Sequence, residues 1–172
     1  MNRKCGDCTA CCRILPVPEV DKPALTRCDH QRHGKGCAIY DKRPMSCRLW
    51  SCLWLTDEAT AGLSRPDRSH YVLDPVPDYV TATYDDQPSQ DWPVMQIWVD
   101  ERHPEAHRDP ALRAMLEKFE VMAIIRTGSE DAFLLAPPSK TGQGWVEQRS
   151  NVNMERVRDP VRTAAAWRAL SG

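Results

Sequence analysis

The chain has 172 residues, with 23 basic and 24 acidic side chains and a formal charge of −1. That length supports one core-bearing domain without covalent staples, and the even charge balance gives no basis for wholesale nucleic-acid binding. No stretch is apolar enough to span a bilayer, since Trp50-Ser51-Cys52-Leu53-Trp54-Leu55 is short and ends at Thr56-Asp57-Glu58.

The first segment, residues 1–56, carries all eight cysteines: Cys5, Cys8, Cys11, Cys12, Cys28, Cys37, Cys47 and Cys52. Met1-Asn2-Arg3-Lys4 leaves no room for a signal peptide before Cys5. A cytoplasmic setting is therefore expected, in which thiols stay reduced and clustered cysteines serve metal or redox chemistry. As a helix, residues 5–12 would put Cys5, Cys8, Cys11 and Cys12 within an arc of about 120°. The side chains of Cys11 and Cys12 diverge, so the pair is not expected to share one ion. Gly6 is a poor helix former and alternatively permits a turn or a close backbone approach to a metal. Pro44 suits the first position of a helix carrying Cys47, Leu49, Trp50, Leu53 and Trp54. On one straight helix Cys47 and Cys52 point about 140° apart, which sets Cys52 aside from the other thiols. Trp50 and Trp54, one turn apart, are expected to pack this module against the rest of the chain.

Residues 57–93 are rich in turn formers, with Pro66, Pro75, Pro77, Pro88 and Pro93, and Tyr79 to Tyr84 is a weak strand candidate. Residues 94–172 predict strands at Val94 to Val99, Ala123 to Arg126 and Ala132 to Leu135, the last two joined by a hairpin loop over 127–131. Asp109 and Pro110 open a helix whose apolar face is Leu112, Met115, Leu116 and Phe119. A weaker strand at Trp145 to Gln148 and a last helix from Asp159-Pro160 through Leu170 complete the reading. The expected class is α+β: a cysteine-rich module over 1–56 and an α+β region over 57–172, forming one compact unit.

Cys5-Gly6-Asp7-Cys8-Thr9-Ala10-Cys11-Cys12, followed by Cys37-x-Ile39-Tyr40-x-x-Arg43-Pro44-x-x-Cys47-Arg48, closely resembles the YkgJ-type cysteine cluster family. That family is described as a zinc- or iron-chelating domain and has also been labelled an Fe–S cluster oxidoreductase. The resemblance covers roughly the first third of the chain. It implies metal ligation by Cys5, Cys8, Cys11, Cys12, Cys37 and Cys47, with Cys28 where such proteins often have a further cysteine. It also marks Arg43 and Arg48 as motif residues. Cys52 lies outside the matched part.

The start C-x-x-C-x-x-C is shared with bacterial ferredoxins, but Cys12 follows at once where those continue with three residues and Cys-Pro. Soft thiolates also suit a closed zinc site, although a second C-x-x-C knuckle is missing. Iron–sulfur stands slightly ahead of zinc. His30 and His33 lie between Cys28 and Cys37 and read better as part of a polar surface loop than as ligands. His70, His103 and His107 are scattered and receive no role. The basic residues Arg27, Arg32, Lys35 and Lys42 read as solvated surface, whereas Arg43 and Arg48 are expected near thiolate charge. Nucleophile-elbow, P-loop and dinucleotide motifs are absent, so the sequence leaves catalysis open. Two expectations follow: a metal-binding protein, with electron transfer as its candidate activity, or a zinc-stabilised interaction module whose 94–172 region meets a protein partner.

Overall fold

The computed structural model describes residues 3–84, 87–128 and 131–149. The N-terminal part is made of short elements: α1 (Ala10–Ile14), the small hairpin β1 (Gln31–Arg32) and β2 (Gly36–Cys37), then α2 (Met45–Leu49), α3 (Leu53–Thr56) and α4 (Pro66–Ser69). Two long strands follow, β3 (Tyr71–Tyr84) and β4 (Gln87–Val99), then α5 (Pro110–Lys118), β5 (Ala123–Arg126), β6 (Ala132–Ala136), α6 (Pro138–Thr141) and β7 (Val146–Gln148). The five strands from β3 onward form one sheet in sequence order. β4 and β5 run parallel, and every other neighbouring pair is antiparallel. Helices with a mixed sheet make the fold α+β.

Strand alternation divides the chain's work between the two faces of this sheet. Tyr71, Leu73, Ile97 and Val99 point to one face, where Leu112, Met115 and Leu116 of α5 close a core with Phe133 and Leu135. Val72 and Trp98 point to the other face, where they meet Ala10, Ile14 and Leu15 of the N-terminal segment and Trp50. The cysteine-rich module thus lies against the face of the β3–β4 hairpin opposite α5. An ion pair from Arg13 to buried Asp100 fixes α1 to the end of β4. Trp50 and Trp54 pack the module against the sheet in different clusters, Trp50 on the one with Val72 and Trp98 and Trp54 on the main core.

The long hairpin corrects the reading of 57–93 as turn-rich with only a weak strand. Pro75 falls in a register shift between Asp74 and Asp78, where no ladder hydrogen bond is required of it. Gln96 Nε2 donates to the Val76 carbonyl at 2.9 Å across this bulge. Arg126 braces the same place, reaching Gln96 Oε1 and Asp78 Oδ2 at 3.0 Å each. Pro88 and Pro93 lie where β4 has β3 alone as partner, because β5 pairs only with Met95 to Trp98. Such edge positions tolerate proline.

The other expected elements match more closely. Asp109 Oδ1 accepts the Ala111 N–H at 2.9 Å, capping α5, and its Oδ2 accepts the Tyr71 hydroxyl at 2.8 Å. Asp109→Ala removes both bonds and is expected to cost about 1–2 kcal/mol, read as a lower urea midpoint at unchanged slope. Phe119 is the residue after α5 and is 40% exposed, so it leaves the apolar face expected of it. The expected helix over 159–170 lies outside the described residues. Among those described, no helix is long and apolar enough to cross a membrane.

Candidate metal centre

Residues 5–9 are not helical, which corrects the expected helix over 5–12. Cys5 to Cys8 form a turn closed by the Cys8 N–H on the Cys5 carbonyl at 2.9 Å, and Gly6 adopts φ +56°. That left-handed backbone suits glycine. Arg65 grips the turn from outside: Nη1 donates to the Cys5 carbonyl at 3.4 Å and Nη2 pairs with Asp7 at 2.8 Å, while Nε pairs with Asp67 at 2.6 Å. Gly36, at φ +79°, passes so close that a Cβ there would lie 3.6 Å from the Gly6 carbonyl. This approach sets β2, and with it Cys37, beside the Cys5–Cys8 turn.

Helix α1 starts only at Ala10, burying Ala10 and Ile14 against the sheet and leaving Cys11 and Cys12 half-buried. The Cys28 N–H donates to the Cys12 carbonyl at 2.9 Å and ties the next segment in. Lys22 is buried below α1, where its Nζ donates to the carbonyls of Leu15, Pro23 and Arg13. A lysine here satisfies helix-end carbonyls that would otherwise lack partners. Burial lowers its pKa, and the opposing pull of Cys28, Cys12, Cys11 and Cys47 places it among the thiols.

The helix expected after Pro44 also breaks. Pro44 caps α2, Trp50 turns to extended backbone, and Cys52 then caps α3. The α2 end is pinned from afar, as Glu19 accepts the Ser46 N–H at 2.9 Å and its hydroxyl at 2.7 Å. The break removes the angular separation that set Cys52 apart. Cys52, like Cys8, Cys11 and Trp50, packs against the cluster of Ala10, Ile14, Leu15, Val72 and Trp98, and it feels the charges of Cys5 and Cys8. Cys47 instead feels Cys12 and Cys28.

Together these segments enclose a cavity of about 320 Å³ lined by all eight cysteines, with Arg43, Arg48 and His30 also on its wall. The sequence reading missed Cys52 as a wall residue. His33 is an exposed residue of the hairpin turn, so the pair His30–His33 is not brought together there. Arg43 stacks on Tyr40 at 3.7 Å and lies in the field of Cys5 and Cys12. Asp74, at the back of the cavity, accepts the indole N–H groups of Trp50 at 3.2 Å and Trp98 at 3.3 Å. Nothing in the sequence around Lys22, Arg65 or Asp74 distinguished them from ordinary surface charges.

All eight cysteines are free thiols. Burial raises the pKa of Cys5, Cys8 and Cys47, and pushes Cys52 up to about 11. Cys11 is raised by its hydrogen bond to Cys12 and by burial. The same hydrogen bond, assisted by Lys22 and Arg43, lowers Cys12 to about 7 against its own burial. Crowded thiols that resist ionising side by side are the donor set a soft cation stabilises, because coordination deprotonates them outright. A single tetrahedral zinc, with Zn–S near 2.3 Å, would hold its sulfurs about 3.8 Å apart. Among the described residues the metal-capable group drawn within 4.8 Å is His70, Asp100 and His103, with no cysteine in it. The thiols therefore surround a volume rather than a point.

No family model, curated protein or solved structure matches the chain.

Proposed function

We propose that this chain is a metal-binding protein of the YkgJ type, holding an iron–sulfur cluster in the cavity walled by its cysteines. The observation that carries the reading is the convergence of eight free thiols, from separate segments, on one cavity. Its volume of 320 Å³ is roughly ten times the share of one liquid water, which suits a polynuclear group better than one small ion. Cys5, Cys8, Cys11, Cys12, Cys28, Cys37 and Cys47 are the proposed ligand pool, joined by Cys52 from its position in the wall. A bound cluster would supply one-electron transfer. Lys22, Arg43 and Arg65 offset the negative charge of the thiolates. A cytoplasmic setting is part of the same reading, since it keeps the thiols reduced.

A second reading, a zinc-stabilised interaction module, draws on the rim of the cavity. Tyr40 on its wall is 57% exposed, and Met45 and Leu49 at the two ends of α2, which carries Cys47, are 58% and 79% exposed, apolar side chains of the kind that partners cover. Anaerobic purification followed by elemental analysis and a visible spectrum separates the two. Iron with acid-labile sulfide and a brown colour selects the cluster. Colourless protein with stoichiometric zinc selects the module, and metal-free protein under these conditions rejects both.

Arg65→Ala tests the outer support of the site. It removes no thiol but frees the Cys5–Cys8 turn. Loss of metal to a chelator is expected to quicken by about tenfold, the low end for disturbing an outer contact. An unchanged rate would show that the turn needs no external tie.

A further inference from the structure

A second group of ligand-type side chains meets away from the cysteine cavity. β3 begins just after His70 and β4 ends just before Asp100, and the Asp100 N–H donates to the His70 carbonyl at 2.9 Å. The His103 N–H then donates to the Asp100 carbonyl at 2.8 Å. Two backbone bonds thus fix three potential ligands at one corner of the sheet. Their ligand atoms lie within 4.8 Å of one another. The two imidazoles stack at 3.6 Å between centroids and 10° between planes, so their in-plane lone pairs run parallel, and the exposed His103 ring must rotate for both to reach one ion.

His70 closes α4 in left-handed backbone, φ +62°, with its N–H on the Pro66 carbonyl at 3.0 Å. Its Nδ1 is buried with no hydrogen-bond partner, a state that calls for a missing water or ion. Asp100 is buried and ringed by cations. Arg13 pairs with its Oδ2, and Arg102 reaches Oδ2 at 3.2 Å and Oδ1 at 3.3 Å, with the Arg102 N–H also on Oδ1 at 3.2 Å. These bonds keep the carboxylate ionised and also compete with any metal for it. Arg13 is largely covered, whereas Arg102 is 58% exposed and free to swing into water. A groove lined by Ser64, Arg68, Pro104 and Arg108 runs past both histidines and gives access from solvent.

We propose that His70, Asp100 and His103 form a second metal site, distinct from the cysteines, that takes a borderline divalent ion such as Zn(II) or Co(II). Two imidazole nitrogens and one carboxylate oxygen suit such ions, while Mg(II) and Ca(II) prefer all-oxygen sites. Three protein ligands leave coordination open toward the groove, as in sites that bind a further small ligand. Arg102 acts as a built-in competitor that must leave Asp100 when the ion enters.

The test is titration of the full-length protein, as purified anaerobically with its own metal, first with Zn(II) by calorimetry and then with Co(II) by absorption. One further equivalent is expected, and its Co(II) form lacks the near-ultraviolet charge-transfer band of thiolate ligation. His103→Ala alters an exposed residue, and His70→Asn keeps a side chain that tolerates left-handed backbone. Each is expected to weaken the further equivalent by about tenfold or more, with the metal content as purified unchanged. Arg102→Ala is expected to tighten it several-fold. The proposal is overturned if His103→Ala binds the further equivalent as well as the parent does, or if its Co(II) form shows thiolate bands. It is equally overturned if neither the parent nor Arg102→Ala takes up a further equivalent. The outcome does not depend on which metal the cysteine cavity holds.

Discussion

Replacing Cys52 with serine is expected to deplete metal as severely as replacing Cys8. Both side chains lie on the wall of the same cavity and in the same apolar cluster. Cys52 caps α3 immediately after the extended residues that follow α2, and it feels the thiol charges of Cys5 and Cys8. A fall of about tenfold or more in metal affinity is expected for either variant, since even outer contacts of metal sites are worth that much. Serine keeps the volume but brings a hydroxyl against an apolar cluster, so unfolding of the metal-free variants should fall below the parent by about 1–3 kcal/mol, alike for the two. The measurement is iron, zinc and sulfide content of Cys52→Ser, Cys8→Ser and parent protein prepared side by side without oxygen. Full metal in Cys52→Ser, with depletion in Cys8→Ser, would remove Cys52 from the ligand pool. Full metal in Cys8→Ser would undermine the whole cysteine assignment.

What the sequence hid about Cys52 was a break in a helix. Pro44 marks the start of α2, and the residues Leu49 to Leu53 contain no glycine or proline to signal its end. The helix stops because Trp50 is drawn onto Trp98 and Asp74 of the sheet, a tertiary contact that local propensity does not encode. The same limit explains the long hairpin: Pro75 reads as punctuation unless one knows that Gln96 and Arg126 support a bulge there. Where local chemistry and packing agree, the sequence was readable. Asp109-Pro110 opens α5, Leu112, Met115 and Leu116 are its buried face, and Ala123 to Arg126 pairs with the following strand as its pattern implies. The histidines at 70 and 103 carry no local signature because a strand hairpin of nearly thirty residues separates them.

Asp74 is where the cavity and the fold depend on one side chain. Its carboxylate is buried and its donors include the Trp50 indole, the Trp98 indole and, at 3.0 Å, the Val76 N–H. The Trp50 bond joins the cysteine segment to the sheet, the Trp98 bond ties β4 to β3, and the Val76 bond holds the bulge before Pro77. Truncation to alanine strands all three in a site closed to most solvent. Each buried unpaired donor costs about 1–3 kcal/mol, so Asp74→Ala is expected to lose roughly 3–5 kcal/mol, allowing for partial relaxation around the smaller side chain. Asparagine keeps the shape and one acceptor oxygen but turns an N–H₂ toward a donor, so Asp74→Asn should fall between parent and alanine. Urea unfolding gives the magnitude, and near-ultraviolet circular dichroism reports the order of Trp50 and Trp98. Because Trp50 begins the extended stretch that delivers Cys52, metal retention should fall along with stability in the series parent, asparagine, alanine. A series that lost stability but held its metal would show that the thiol wall stands independently of the sheet behind it.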